Sequence, residues 1–203
     1  MMLQKLNNEF HKKAFGEYEY DVKALGWGSK YSQEIRFDVM KNIGINTNDS
    51  VLDVGCGFGD FYTYLKSFNL DTKYTGIDIN SNFIKKAIEL EDLNSTFKVG
   101  NISSVSSSRF DWVVASGIFS FDCKHWEEEM CGTMKEMFDI ADKGICANFL
   151  SAKSSYKFQD GFRHSEPEYI ISKLVPILSN RFVLRHDYKE NDFTLYFYKK
   201  DTK

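Results

Sequence analysis

The sequence predicts an α/β protein with a mostly parallel sheet covered by helices on both faces. Three features predict it. Short β-branched runs alternate with longer segments of helical period, the pattern of strands joined by crossover helices. The first of those runs leads directly into a glycine-rich turn that opens a helix. The last fifty residues close on two aromatic strands around a short polar turn, which suits an antiparallel pair at a sheet edge.

The first forty-odd residues read as helical over 7–25 and 33–43, broken by Gly26, Trp27, Gly28 and Ser29, and they are expected to cap one end of the sheet. Strands are expected over 50–54, 73–78, 96–99, 110–115 and 144–150. Between them, 60–69 carries Phe61, Tyr64, Leu65 and Phe68 at helical spacing, and 81–93 opens with Ser81 at the N-cap. The 126–142 helix bears a stripe of Met130, Met134 and Met137 that belongs in the core. The 100–109 connection has room for only a turn of helix. A helix over 166–179 starts with Pro167 in its first turn and is kinked or ended by Pro176. The final strands, 182–188 and 193–198, flank Lys189, Glu190, Asn191 and Asp192.

The 203 residues suit a single domain over 1–203, with 1–46 as the helical cap and 47–203 as the core. A net charge of −3 and scattered lysine pairs disfavour a phosphate backbone as partner. The four cysteines form no C-x-x-C pair and no zinc spacing, so no metal site is expected and the thiols read as reduced. No signal-like segment and no run of some 18 apolar residues occurs, so a cytoplasmic protein away from membranes is expected.

The chemistry is concentrated in V-L-D-V-G-C-G-F-G-D, residues 51–60. Glycine lets backbone approach a ligand without a Cβ between them, and ligands of open parallel sheets bind beyond the carboxyl ends of the strands. A dinucleotide-binding G-x-G-x-x-G would need glycine at 60, where Asp60 stands. Asp53, just ahead of the turn, is a poor neighbour for a diphosphate and a good one for a cation. S-Adenosylmethionine has no phosphate and carries an ammonium and a sulfonium.

Residues 51–60 resemble motif I of the class I S-adenosylmethionine-dependent methyltransferases, in which an acidic residue precedes G-x-G-x-G. Asp53, Gly55, Gly57 and Gly59 match it position by position, with Cys56 in the same turn. Asp78 ends the second strand 19 residues past Gly59, where a carboxylate accepts hydrogen bonds from two ribose hydroxyls; Ile79 follows it. Asn101 stands where the family commonly has an aspartate contacting the adenine amino group, and Ile102 is placed to pack on the adenine face. Ser116 and Gly117, after the fourth strand, would lie beside the reactive methyl. No N-P-P-Tyr/Phe motif follows, which steers away from exocyclic amines of bases. The resemblance is firm over 49–150 and implies a Rossmann-like three-layer sandwich of seven strands, order 3-2-1-4-5-7-6, the seventh antiparallel.

Methyl transfer from a sulfonium leans on positioning, and a base is needed only where the acceptor loses a proton. His164 and Asp122 are the favoured candidates, ahead of His186 and His125. Tyr156, Phe158 and Phe162 are an apolar lid or an anchor for their loop. Arg36 is a candidate partner for the cofactor carboxylate, and Trp27 and Tyr31 for a lid over it. The expected function is methyl transfer to oxygen or nitrogen of a small molecule, such as a metabolite or sugar-linked group of a bacterial biosynthetic pathway. The competing readings are a non-catalytic cofactor-binding partner subunit, an RNA methyltransferase and a nicotinamide-dependent oxidoreductase. Oligomeric state is not legible.

Overall fold

A computed structural model describes residues 1–155 and 160–200. One sheet organises them. Its strands are β1 (Ser50–Val54), β2 (Lys73–Asp78), β3 (Ser95–Val99), β4 (Phe110–Ala115), β5 (Ala141–Ser151), β6 (His164–Ser165), β7 (Phe182–Arg185) and β8 (Asp192–Tyr198). The order is β3-β2-β1-β4-β5-β8-β7, with β6 paired to the end of β5. The expected order 3-2-1-4-5-7-6 is realised, the two-residue β6 shifting the last labels by one. β1 to β5 run parallel, while β8 pairs antiparallel with β5 from Gly144 opposite Tyr198 to Leu150 opposite Asp192.

Alternation along the strands divides the core into two layers, because successive side chains leave a strand on opposite faces. On one face Leu52, Val54, Val113 and Ala115 meet α5 (Trp126–Ile140) and α6 (Pro167–Leu174) through Met130, Met134, Met137, Ile170 and Leu174. On the other, Val51, Tyr74 and Val114 meet α2 (Lys30–Lys41), α3 (Asp60–Ser67) and α4 (Ser81–Ala87) through Phe37, Met40, Phe61, Leu65 and Ile84. The methionine stripe is therefore core, as its spacing predicts.

Several boundaries differ from expectation for local reasons. The N-cap of α4 is Asn80, whose side chain accepts from Asn82 N–H, so Ser81 is the first helical residue and not the cap. The Ser29 side chain caps α2, which starts at Lys30, three residues ahead of the expected Gln33. α6 stops at Leu174, before Pro176, which has no N–H to carry the helical ladder on, although Val175 ahead of it keeps helical backbone. β7 ends at Arg185, short of 188. α1 (Met2–Tyr18) begins well ahead of residue 7 and lies across the carboxyl ends of the strands, while α2 packs in the helical layer on the sheet face and reaches the same end with Gln33 and Phe37.

Candidate functional site

A cavity opens at the carboxyl ends of β1, β2 and β4, where a parallel sheet gathers its ligands. Its floor is the turn after β1. Gly55 and Gly57 have φ of +80° and +57°, the left-handed backbone that glycine adopts without strain. A Cβ on Gly57 would stand 2.8 Å from Leu25 Cδ2, and one on Gly55 would stand 2.4 Å from Ile118 Cγ2. The turn is thus pressed between the N-terminal segment and the loop after β4.

Two carboxylates stand at the strand tips on the floor of this cavity. Asp78 is held by backbone, Oδ2 accepting from Gly57 N–H at 3.0 Å and Oδ1 from Asn80 N–H at 2.8 Å. Burial nevertheless pushes its pKa up to about 6, against those two hydrogen bonds. Asp53 accepts from the Tyr74 hydroxyl at 2.5 Å, and burial, reinforced by the charges of Asp78 and Asp60, pushes it up to about 7. Such desolvated acids are stabilised as anions by a ligand that brings positive charge or hydrogen-bond donors.

The structure brings most of the expected cofactor residues to this wall. Asp53, Gly55, Cys56, Gly57, Asp78, Ile79, Asn101, Ile102, Ser116, Gly117 and Trp27 all line it. Gly59 does not; it caps α3 in a left-handed conformation and packs against Phe97 and Leu90. Trp27 lies over Gly117, where a Cβ would be 3.2 Å from its ring. Tyr31 is 74% exposed and off the wall. Arg36 is also off it: its guanidinium forms a two-pronged buried pair with Asp192, hydrogen-bonds Ser32 and stacks 4.5 Å from the centre of the Trp27 ring. That engagement corrects the expectation that Arg36 waits for a ligand carboxylate.

The expected bases are also placed elsewhere. Asp122 is paired with Arg163 at 3.4 Å, and His164 sits in β6 beside Leu150; neither reaches the cavity wall. His186 meets the Glu190 carbonyl, and His125 pairs with Glu128. Phe162 does line the cavity and bridges to Phe121, while Tyr156 and Phe158 lie outside the described residues.

The sequence predicts a helical cap at one end of the sheet but does not single out the residues of that cap that form the cavity's roof. α1 turns Gln4, Asn7, Asn8, Phe10 and His11 into the cavity. The signal was present: along this helix the charges of Lys5, Glu9, Lys12 and Lys13 leave one face uncharged. The roof is pinned by Glu129 of α5, whose carboxylate accepts from Met2 and Leu3 N–H at 2.6 and 2.8 Å. Asn7 Nδ2 donates to the Ile118 carbonyl at 3.2 Å.

The sheet order, the glycine turn and the acidic strand tips define a class I methyltransferase architecture. The family model described as a methyltransferase domain matches residues 45–166, and the chain belongs to that family. A Mycobacterium tuberculosis protein named as a methyltransferase is 28% identical over 156 residues, covering 72% of this chain and 90% of that one. Among solved structures, magnesium protoporphyrin IX methyltransferase from Synechocystis with bound S-adenosylhomocysteine superimposes with a TM-score of 0.67 at 14% identity, covering 98% of this chain and 99% of that one. The DhpI complex with S-adenosylhomocysteine superimposes with a TM-score of 0.70 at 12% identity, covering 99% and 98%.

Proposed function

We propose that this chain transfers a methyl group from S-adenosylmethionine to oxygen or nitrogen of a small molecule. The observation that carries the reading is a cavity with two desolvated carboxylates on its floor and a helix closing it above. The residues present fit the cofactor. Asn80 Nδ2 and Ser116 Oγ are buried on the wall without a hydrogen-bond partner among the described residues, an arrangement that an incoming polar ligand relieves. Asp78 retains acceptor capacity on both oxygens for a ribose diol. Asp53 and the bare backbone of Gly55 and Gly57 suit the amino-acid end. Asn101 and Ile102 suit the adenine, and Ser116 and Gly117 the region of the methyl.

The bound cofactor supplies an activated methyl group on a sulfonium leaving group. The protein's share is to orient it, exclude water and align the acceptor, which is worth on the order of 7–11 kcal/mol of barrier when reacting atoms are well placed. A roofed, apolar chamber favours a small acceptor over a polymer. Two measurements test this. Calorimetry should show S-adenosylhomocysteine binding to the wild-type protein. Labelled methyl from S-adenosylmethionine should enter the small-molecule fraction of a bacterial extract, and not added tRNA or protein. Label confined to tRNA would replace this reading with an RNA methyltransferase, and binding with no transfer into any fraction would replace it with a non-catalytic subunit.

A further inference from the structure

α1 carries a second polar device, beyond the cofactor floor. His11 lies inside a ring of aromatic side chains, with centroids at 5.2 Å to Phe10, 5.4 Å to Phe83 and 6.3 Å to Phe121. Phe121 in turn lies 4.9 Å from Phe162. His11 Nδ1 is 3.0 Å from the Ala24 carbonyl oxygen. A carbonyl only accepts, so Nδ1 carries the proton and the lone pair of the neutral ring stays on Nε2. Burial lowers the imidazole pKa and keeps it neutral. One turn back on the same helix, Asn8 Oδ1 is buried with no hydrogen-bond partner among the described residues. Both groups line the cavity, and the cavity wall holds Asp53, Asp78 and Glu129 but no lysine or arginine among the described residues.

We propose that Asn8 and His11 form the acceptor subsite, and that it selects an apolar, ring-bearing acceptor with a neutral hydroxyl that donates hydrogen bonds, and rejects a carboxylate. The inference rests on the methyltransferase reading above and deepens it. Two acceptor atoms on one helix face require a partner with hydrogen to give. A carboxylate has none, and among the described residues this wall offers it no lysine or arginine side chain to neutralise it. His11 Nε2 is the general base. As the acceptor oxygen forms its bond to the methyl carbon, the methyl–sulfur bond breaks with its pair left on sulfur. The hydroxyl proton passes to Nε2, and the imidazolium returns it to water.

Matched probes test the selection on the wild-type protein saturated with S-adenosylhomocysteine: 2-naphthol against 2-naphthoate, by calorimetry. Binding of the naphthol at least tenfold tighter than the naphthoate is expected; equal or reversed affinities overturn the proposal. His11→Gln tests the base, with 2-naphthol as methyl acceptor. It should lower kcat about a hundredfold, within the range of general-base catalysis, with KM changed less than threefold and the pH dependence of kcat flattened. Retention of the wild-type kcat and pH profile overturns the role of His11. Asn8→Ala should weaken the naphthol about tenfold while S-adenosylhomocysteine affinity holds, and unchanged naphthol affinity would remove Asn8 from the subsite. Failure of the cofactor reading shows separately, as absence of S-adenosylhomocysteine binding before any probe is added, and it would overturn this inference as well.

Discussion

Asp78 is the residue on which the cofactor floor turns. Its two oxygens already draw the glycine turn and the start of α4 together through backbone N–H groups. A ligand diol would use the lone pairs that remain. Hydrogen bonds to a charged group contribute about 1.5–3 kcal/mol each, so Asp78→Ala should weaken S-adenosylhomocysteine by about 10- to 100-fold or more in calorimetry. Unchanged affinity would remove Asp78 from the site. Gly57 gives a second test of the floor. Gly57→Ala combines a left-handed backbone, at about 1–2 kcal/mol, with a Cβ 2.8 Å from Leu25 Cδ2. The Leu25 side chain, which covers the turn, must shift aside to make room. The variant should unfold at lower urea by about 1–3 kcal/mol and bind S-adenosylhomocysteine less tightly, both readable in one titration series.

Elements differ in how much of their placement is local. The parallel strands and the terminal hairpin were legible because period-two runs and turn residues carry their own signal, and 50–54, 73–78 and 110–115 fall on β1, β2 and β4 without shift. The glycine turn was legible for the same reason: its backbone demands are written in Gly55, Gly57 and Gly59. Arg36 was not, because its partner Asp192 is 156 residues away and no pattern within α2 announces it. His11 and Asn8 were not singled out because a helix face becomes a cavity wall only through what it covers. The Arg36–Asp192 pair now predicts an element-level effect, since it fastens α2 and the Trp27 segment to the start of β8. Arg36→Met leaves the buried Asp192 carboxylate with only the longer ion pair to Lys189, at 3.7 Å, and should cost up to about 3–5 kcal/mol in urea unfolding. Replacing both partners with apolar residues, as Arg36→Met with Asp192→Leu, should recover most of that loss; a double variant as unstable as the single would show the pair's charge is not what matters.

At the scale of the whole molecule, the floor makes stability and ligand binding respond to pH in opposite senses. Asp53 titrates at about 7 when folded and near 4 when unfolded. Between those values the folded protein holds a proton that the unfolded chain has lost, so stability falls as pH rises through that window, by a few kcal/mol at most. His11, with its lowered pKa, works the other way below about 6.5. Comparison with Asp53→Asn isolates the carboxylate. Between pH 5.5 and 8 the wild-type protein without ligand should lose urea resistance relative to Asp53→Asn. S-Adenosylhomocysteine, through its ammonium group, should stabilise the wild type more at pH 8 than at 5.5. Parallel pH curves for the two proteins would show that Asp53 is not the desolvated acid described.

The insertion of β8 between β5 and β7 has a consequence for biosynthesis. A ribosome that has made β1 to β5 has completed the glycine turn and both acidic strand tips, yet β5 still exposes the edge that β8 will occupy, and Arg36 has no counter-ion until residue 192 emerges. The nascent chain therefore carries an assembled floor under an unlatched α2 until β8 appears. Premature stop codons shortly before residue 192 should yield protein that chaperones and proteases handle as unfinished, however intact its ligand-binding motifs.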